Sequence, residues 1–345
     1  MNVVVAVAER AERWHRAFAA RLPDAAIHVW PGEVPADVDY ALVWKPDPDL
    51  FRRVRVRRAI FNLGAGVDSL LAVPTLPPAV PIVRLEDAGM AEQMAEYAAL
   101  AVLRAYRDAA HYERAQREGR WAPLERRDKA SFGVGVLGAG VLAQAVLEAL
   151  APYRFPLATW SRTPHDRPGV ASFAGSGSLR AFLARSRVVV ALLPSTRETR
   201  GLLGAAAFEA MPAGAHLVNL GRGDLVVDAD LVAALDRGHL GHATLDVFRE
   251  EPLSPGHPFW HHPGITITPH VSAVTRVADS VAQVAAKLEA LERGATVSGV
   301  VDRAQGYGPP WPPRSVPPAS ASSTSGRATA CRTRRASCPP TSRWR

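Results

Sequence analysis

Residues 132–143 read Phe132-Gly133-Val134-Gly135-Val136-Leu137-Gly138-Ala139-Gly140-Val141-Leu142-Ala143, the strongest indication of architecture in this 345-residue chain. The run up to Leu137 is typical of a buried β-strand, and the glycine-rich turn after it leads into the helical pattern Val141–Leu150. Strand, glycine-rich turn and helix in this order predict a dinucleotide-binding βα unit. Gly138 permits the tight turn, Gly140 lets the backbone approach a pyrophosphate, and the small Ala143 allows close helix–strand packing.

Short apolar runs alternate with helical patterns on both sides of this segment, which predicts βα units around parallel sheets. The other expected strands are Val3–Val7, Ala26–Trp30, Tyr40–Trp44, Ala59–Phe61, Ile82–Val83, Leu157–Trp160, Val188–Leu193, His216–Asn219, Ala243–Leu245 and Ile265–Ile267. The expected helices include one long stretch over Ala88–Arg117, a shorter one at Asp230–Leu235 and a closing helix at Val277–Glu292.

We therefore expect an α/β protein built from two Rossmann-like domains, each a doubly wound parallel sheet, with an active-site cleft between them. The substrate domain is predicted to be discontinuous, comprising residues 1–96 and 273–305. Residues 97–272 are predicted to form the dinucleotide-binding domain.

The composition is typical of a globular chain, with 48% hydrophobic and 21% charged residues. No apolar run approaches the ~18–20 residues that a membrane-spanning helix needs. The opening Met1–Ala8 is too short for the core of a signal peptide. We therefore expect a cytoplasmic protein with no membrane partner. Because the cysteines are Cys331 and Cys338, the sequence before them has no disulfide framework, thiolate nucleophile or cysteine metal site, and we expect no metal.

Of the net charge of +8, seven units lie in the C-terminal segment, residues 306–345, which holds seven arginines and no acidic residue. Removing these from the 41 basic residues leaves 34 against 33 acidic residues. A nucleic-acid-binding function would depend on this segment alone, and we expect no nucleic-acid partner. Eight prolines and the lack of apolar periodicity predict a disordered tail that is dispensable for catalysis. Its origin is either a shifted reading frame or a genuine basic interaction tail.

The residues after the strand Leu157–Trp160 indicate which dinucleotide binds. NAD enzymes carry an Asp or Glu here that binds the ribose 2′-hydroxyl. This chain has Ser161-Arg162-Thr163 instead. Arg162 offers a fork of donors suited to a 2′-phosphate, and the two hydroxyls can add hydrogen bonds. We expect NADPH as the preferred cofactor and NADH as a weaker one; a merely solvated Arg162 is the alternative interpretation.

Three further segments follow predicted strands, at the sheet edge where open α/β sheets bind ligands. They supply an arginine, an acid and a histidine: Asn219–Asp224, Leu245–Leu253 and Ile267–His270. A guanidinium can hold a carboxylate and polarise a ketone. A histidine can deliver a proton to the developing alkoxide while a nicotinamide delivers hydride. A carboxylate beside that histidine orients it and favours its protonated form. These are the groups that reduction of a 2-keto acid requires.

The chain resembles the D-isomer-specific 2-hydroxyacid dehydrogenase family, and most closely its glyoxylate/hydroxypyruvate reductase A branch, over about residues 1–307. The segments that carry the resemblance are Asn62–Asp68, Gly89–Tyr97, Val136–Val141, Trp160–Thr163, Leu193–Leu203, Gly221–Gly223, Asp246–Pro252, Thr266–His270 and Val301–Tyr307. The resemblance implies an oxidoreductase that transfers hydride from NADPH to a small 2-keto acid, converting glyoxylate or hydroxypyruvate to glycolate or glycerate. It also implies a homodimer, with Ala88–Arg117 near the interface.

By this resemblance, Arg222 binds the substrate, Glu251 is the partner acid and His270 is the proton donor. Asp246 is implied to contact the nicotinamide carboxamide. The substrate carboxylate is implied to bind backbone N–H groups of Gly64, Ala65 and Gly66. The other expected cofactor contacts are Gly138, Gly140, Val141, Leu142, Ser161, Arg162, Thr163, Leu193, Pro194, Thr199 and Gly221.

Each of these residues also has a simpler interpretation. Taken singly, Arg222 could be a surface arginine, Glu251 a loop acid beside Glu250, and His270 a strand cap. Trp44 either lines the substrate pocket or belongs to the core. The main alternative function is an NADP-binding sensor or corepressor-like protein that uses the same fold without turnover. The joint presence of the arginine, the acid and the histidine argues against it.

Overall fold

A computed structural model describes residues 1–303, in which two parallel β-sheets are each covered by helices. The predicted tail, residues 306–345, lies outside the described residues. The strands of the first sheet are β1 (Asn2–Val7), β2 (Ala26–Val29), β3 (Asp37–Trp44), β4 (Arg55–Asn62) and β5 (Ile82–Arg84). They lie in the order β2-β1-β3-β4-β5, with every neighbouring pair parallel. The strand order of this doubly wound sheet reverses between β1 and β3, and such reversals are where these sheets bind ligands.

The second sheet has the order β12-β11-β10-β9-β6-β7-β8, again with parallel neighbours. Its strands are β6 (Val134–Leu137), β7 (Leu157–Ser161), β8 (Val170–Ala174), β9 (Val188–Ala191), β10 (Ala215–Asn219), β11 (Leu240–Leu245) and β12 (Ile265–Ile267). The order reverses between β6 and β9, beside the predicted glycine-rich turn. The prediction of two Rossmann-like parallel sheets is confirmed. Strand β8 was not predicted, because this edge strand is half-exposed and lacks an apolar run.

The helices that surround the sheets are α1 (Ala11–Arg21), α2 (Leu50–Arg53), α3 (Asp68–Leu71), α4 (Met90–Tyr106), α5 (Ala109–Arg117), α6 (Val141–Leu150), α7 (Leu179–Ala184), α8 (Ala205–Ala210), α9 (Asp228–Asp236) and α10 (Val277–Glu292). Helices α6 and α10 have the predicted bounds. Among residues 1–303, none of the helices has the length and apolar character needed to cross a membrane.

The prediction of one long helix over Ala88–Arg117 is wrong, because the chain forms α4 and α5 with a break at Asp108. Asp108 adopts a left-handed conformation with φ 54°, which an α-helix cannot continue through. Its carboxylate accepts hydrogen bonds from the Arg127 guanidinium, one of them at 2.6 Å. This contact with a distant arginine stabilises the break.

Apolar side chains cover both faces of each sheet, and their contacts show which helices pack on which face. Phe18 of α1 and Leu288 of α10 pack with Phe61 on one face of the first sheet. Helices α4 and α6 pack on one face of the second sheet, and α7, α8 and α9 on the other. The chain therefore passes between the sheets before α4 and again before α10. Leu142 and Ala273 contact the cores on both sides of this junction. The domain boundaries themselves stay a prediction.

Candidate active site

The predicted arginine, acid and histidine segments follow three neighbouring strands of the second sheet. The strands β10, β11 and β12 are parallel, with Asn219, Leu245 and Ile267 aligned in register at their carboxyl ends. Parallel strands place their carboxyl ends on one edge of the sheet. The sheet therefore brings the three segments that leave these strands to a common edge.

Glu251 and His270 form a direct hydrogen bond, with 2.8 Å between Glu251 Oε2 and His270 Nδ1. Burial alone raises the pKa of Glu251. Hydrogen bonds from His270 and from the Phe248 N–H, with the positive charges of His270 and Lys45, outweigh burial and hold this pKa below its ordinary value. An ionised carboxylate can only accept, so Nδ1 carries the donated proton. The nitrogen left to exchange a proton with a substrate is Nε2.

The backbone at His270 is held in an unusual conformation by Asp246. His270 has a φ of 55°, in the left-handed region that few non-glycine residues adopt. Its N–H donates to the Asp246 carbonyl at 2.8 Å. The fully buried Asp246 carboxylate accepts from the N–H groups of Val271 and Ser272, each at 2.9 Å, and from Thr268 Oγ1 at 2.6 Å. Asp246 therefore organises the turn that carries His270, and its predicted carboxamide contact stays a prediction.

Arg222 lies against the glycine loop that follows β4 of the first sheet. Its Nε donates to Asp68 Oδ2 at 2.7 Å, and its Nη1 donates to the Gly221 carbonyl at 2.6 Å. A Cβ added to Gly66 would overlap the Arg222 guanidinium. The structure thus brings the predicted arginine and one of the predicted loop glycines into contact. A side chain at position 66 would displace the Arg222 guanidinium from this position.

The glycine loop, Gly64–Gly66, is held by hydrogen bonds from Asn62 and covered by the ring of Trp44. The buried Asn62 Nδ2 donates to the carbonyls of Gly64 and Gly66, at 2.8 Å each. A Cβ added to Gly64 would overlap the ring of Trp44. Trp44 also packs against the core of the first sheet, so it contacts both the loop and the core. Ala65, between the two glycines, likewise packs against this core.

Sequence reasoning assigned no role to two charged residues at this site, Asp68 and Lys45. Asp68 pairs with Arg222, although 154 positions separate them in the chain. Lys45 is exposed directly after β3, and its charge helps to lower the pKa of Glu251. Its position at the carboxyl end of a central strand was a usable signal, since ligands bind at such ends. No local pattern indicated the pairing of Asp68.

The glycine-rich turn after β6 fits a dinucleotide pyrophosphate. Gly138 has a φ of 126° and donates its N–H to the Trp160 carbonyl at 2.8 Å, which joins the turn to β7. Apart from Gly140 itself and its neighbours in the chain, no atom of residues 1–303 would lie within 4 Å of a Cβ added to Gly140. Gly140 precedes α6, whose first turn contains Val141 and Leu142 and has no acidic side chain. An open helix N-terminus of this kind favours an anion.

The loops after β7 and β9 flank this turn on either side, because these strands are the neighbours of β6. At the end of β7, Ser161 Oγ donates to the Thr163 carbonyl at 2.6 Å, while Arg162 and Thr163 beyond the strand are exposed. An exposed guanidinium beside the exposed Thr163, with no carboxylate among these three residues, fits a 2′-phosphate. The Ser161 hydroxyl is buried and already donates to the Thr163 carbonyl, so it holds the shape of this loop.

The loop after β9 is closed by Thr199, whose Oγ1 donates to the Pro194 carbonyl at 2.6 Å and accepts from the Thr196 N–H at 2.8 Å. A Cβ added to Gly221 would lie 2.6 Å from the carbonyl oxygen of Leu193. The loop that carries Arg222 is therefore packed closely on the loop after β9, which links the predicted substrate and cofactor residues.

Comparisons with known proteins match the chain to 2-hydroxyacid dehydrogenases, several of them solved with NADP or NADPH. A family model described as D-isomer specific 2-hydroxyacid dehydrogenase, NAD binding domain, matches residues 99–272. A D-isomer specific 2-hydroxyacid dehydrogenase from Xanthobacter autotrophicus Py2, solved with NADPH and MES, is 40% identical with a TM-score of 0.84. An NADPH-dependent glyoxylate/hydroxypyruvate reductase from Sinorhizobium meliloti, solved with NADP and sulfate, is 35% identical with a TM-score of 0.83. A probable 2-hydroxyacid dehydrogenase from Rhizobium etli CFN 42, solved with NADP, HEPES and L(+)-tartaric acid, is 34% identical with a TM-score of 0.82. Each comparison covers 89% of this chain and 99% of the other.

Proposed function

The chain belongs to the D-isomer-specific 2-hydroxyacid dehydrogenase family, and from this premise we propose that it reduces glyoxylate or hydroxypyruvate with NADPH. The observation that carries the proposal is the Glu251–His270 hydrogen bond on the same sheet edge as the Arg222 loop. A small 2-keto acid has a carboxylate and a ketone, and this edge offers a cation and a proton donor for them. The proposed domains are residues 1–96 with 273–305, and residues 97–272.

Arg222 and the glycine loop are proposed to bind the substrate. The guanidinium can donate to the substrate carboxylate and to the ketone oxygen, which polarises the carbonyl group. The backbone N–H groups of Gly64, Ala65 and Gly66 are the proposed second contact of the carboxylate. Arg222 already lies against Gly66, which supports a shared position for the anion. Trp44 over Gly64 favours a small substrate, because the ring limits the space above the loop.

His270 is proposed to complete the reduction as the general acid. When bound, NADPH supplies the hydride that reduces the carbonyl carbon. His270 Nε2 then donates its proton to the oxygen, which becomes the hydroxyl of the product, and solvent reprotonates the imidazole. Glu251 holds Nδ1 and stabilises the positive charge of the protonated ring. A sensor without turnover would not need this hydrogen-bonded pair, so the alternative function is not favoured.

The cofactor is proposed to bind along the carboxyl edge of the second sheet. Its pyrophosphate would contact the turn at Gly138 and Gly140. Its 2′-phosphate would contact Arg162 and Thr163, with Ser161 holding the loop through its bond to the Thr163 carbonyl. The loop Leu193–Thr199 and Asp246 are the proposed contacts toward the nicotinamide. The NADP and NADPH complexes of the similar structures support this assignment.

The proposal is tested by following NADPH absorbance with purified protein and glyoxylate, hydroxypyruvate or a bulkier 2-keto acid. We expect turnover of the two smaller substrates. His270→Ala should lower kcat by about 10²–10⁴-fold, the usual contribution of a general acid. Arg222→Ala should raise KM for the keto acid and also lower kcat. His261→Ala, which changes an exposed histidine of a neighbouring loop, is the matched control. Near wild-type turnover by folded His270→Ala would contradict the proposed mechanism.

A further inference from the structure

Helix α4 directs two polar side chains, Gln93 and Tyr97, at the segment that carries His270. They are four residues apart and therefore lie on one face of the helix. The Gln93 amide binds the backbone of Val274 twice, Nε2 donating to its carbonyl at 2.9 Å and Oε1 accepting from its N–H at 3.2 Å. The half-buried Tyr97 hydroxyl lies 2.6 Å from Thr268 Oγ1. The helix thus contacts the segment on both sides of the histidine.

The hydrogen bonds that start at Tyr97 run in one direction. Thr268 Oγ1 lies 2.6 Å from Asp246 Oδ1 as well as 2.6 Å from the Tyr97 hydroxyl. The Asp246 carboxylate acts as an acceptor here, since backbone N–H groups also donate to it. A threonine hydroxyl has a single proton, so Thr268 donates to Asp246 and Tyr97 must donate to Thr268. Burial raises the pKa of Tyr97, which keeps this proton on the phenol.

Asp246 is the acceptor that defines the His270 turn. A residue in a sparsely populated backbone region persists only where its surroundings hold it. At His270 these surroundings are the Asp246 carbonyl and, for the next two residues, the two oxygens of the Asp246 carboxylate. The orientation of that carboxylate depends in turn on Thr268, which Tyr97 fixes from outside the turn.

We propose that Tyr97 is a positioning residue for His270, acting through Thr268 and Asp246 on the turn that presents the imidazole to Glu251. The proposal rests on the reductase function above and extends it to a residue of α4 that does not itself contact the imidazole. It matters for catalysis because small displacements of a reacting group reduce the rate strongly. Substrate binding by Arg222 and the glycine loop does not involve this chain of hydrogen bonds.

The kinetic test uses Tyr97→Phe, which removes the hydroxyl and keeps the ring. We expect kcat to fall about two- to tenfold, the effect of losing one hydrogen bond, with KM for the keto acid nearly unchanged. Tyr106→Phe is the matched control. It also removes a hydroxyl from α4, but that hydroxyl donates to the Arg127 carbonyl and does not contact Thr268.

The variants of Thr268 test the next step of the same chain of hydrogen bonds. Thr268→Val should lower kcat similarly, whereas Thr268→Ser, which retains the hydroxyl, should keep most of the wild-type kcat. The double variant Tyr97→Phe/Thr268→Val should be no slower than Thr268→Val alone.

Hydrogen–deuterium exchange of peptides that cover residues 268–274 gives a readout independent of turnover. We expect about two- to tenfold faster exchange at Val271 and Ser272 in Tyr97→Phe and wild-type exchange in Tyr106→Phe. If Tyr97→Phe lowers kcat without changing exchange, or changes exchange without lowering kcat, the proposal is overturned. Additive losses in the double variant would also overturn it. If the unmodified protein reduces no 2-keto acid, the proposed function fails. Wild-type exchange in Tyr97→Phe would, independently of turnover, show that Tyr97 does not stabilise the turn at His270.

Discussion

At the scale of residues, the candidate site depends on glycines whose missing side chains leave room for other groups. Gly66 leaves room for the Arg222 guanidinium and Gly64 for the Trp44 ring. Gly223, next to the arginine, lies against the backbone of Phe248, where a Cβ would overlap it. These three positions were noted in the sequence as parts of motifs. Gly66 and Gly64 let a cation and an aromatic ring approach the backbone that is proposed to bind the substrate, and Gly223 lets the loop of Arg222 approach the backbone of Phe248.

Arg162 belongs to this scale too, because one side chain is expected to decide between two cofactors. Arg162→Ala should raise KM for NADPH about tenfold or more, the loss expected for a charge-assisted hydrogen bond, and change KM for NADH little. Steady-state kinetics with both cofactors measures this. Arg180→Ala, at an exposed arginine of α7, should leave both values unchanged. Equal kcat/KM of the unmodified enzyme with NADPH and with NADH would contradict the prediction that Arg162 selects NADPH.

At the scale of elements, strands β10 and β11 lead into the candidate site at their carboxyl ends and carry a pair of histidines toward their amino ends. His216 of β10 and His242 of β11 have ring centroids 6.0 Å apart, and His242 Nε2 lies 2.9 Å from Thr266 Oγ1. Burial, with a smaller contribution from nearby positive charges, among them Arg127 for His216 and Arg104 for His242, lowers the pKa of each from 6.5 to about 4. Both histidines are therefore neutral in the folded protein at neutral pH.

This pair should make the protein acid-sensitive. Between pH 6.5 and about 4 the unfolded chain binds protons at these two positions and the folded protein does not, so the free energy of unfolding falls as the pH falls. The loss amounts to several kcal/mol, since each pKa unit is worth about 1.4 kcal/mol. In urea unfolding at pH 7 and pH 4.5, His216→Gln/His242→Gln should lose much less stability on acidification than the wild type. His261→Gln should behave as the wild type; equal losses in all three proteins would reject the prediction.

At the scale of the whole molecule, exposed apolar side chains occur in and around α4 and α5. Leu100 is 58% exposed, Tyr112 41%, Trp121 97% and Leu124 44%. Large apolar side chains grouped at a surface mark interaction sites more often than isolated ones do. We therefore predict that the region of α4 and α5 forms the interface of the homodimer that the family resemblance implies.

The dimer prediction is checked by light scattering at micromolar concentration. The unmodified protein should have about twice the mass of the 37.0 kDa chain. Trp121→Ser should shift the population toward monomer, because truncating an aromatic residue that anchors an interface costs about 2 kcal/mol or more. Trp260→Ser, which changes an exposed tryptophan outside this region, should remain dimeric. A monomeric unmodified protein would rule the dimer out.

The amino-acid sequence by itself determined the two parallel sheets, most strand positions, the glycine-rich turn, and the placement of Arg222, Asp246 and His270 just after strands. These features are local: apolar runs, glycine spacing and the order of strand and helix are all contained in short windows. Where the local pattern was weak, the prediction failed, as at the half-exposed edge strand β8.

Apart from the pairing of Glu251 with His270, which the family resemblance implied, only the tertiary structure decided which side chains touch. The break at Asp108 depends on Arg127, the orientation of Arg222 on Asp68, and the turn at His270 on a chain of hydrogen bonds that begins at Tyr97. In the last two cases the partners are separated by more than 150 positions. Contacts of this kind form because strand ends from two sheets and the helices between them meet at one edge, and no short window of sequence contains that geometry.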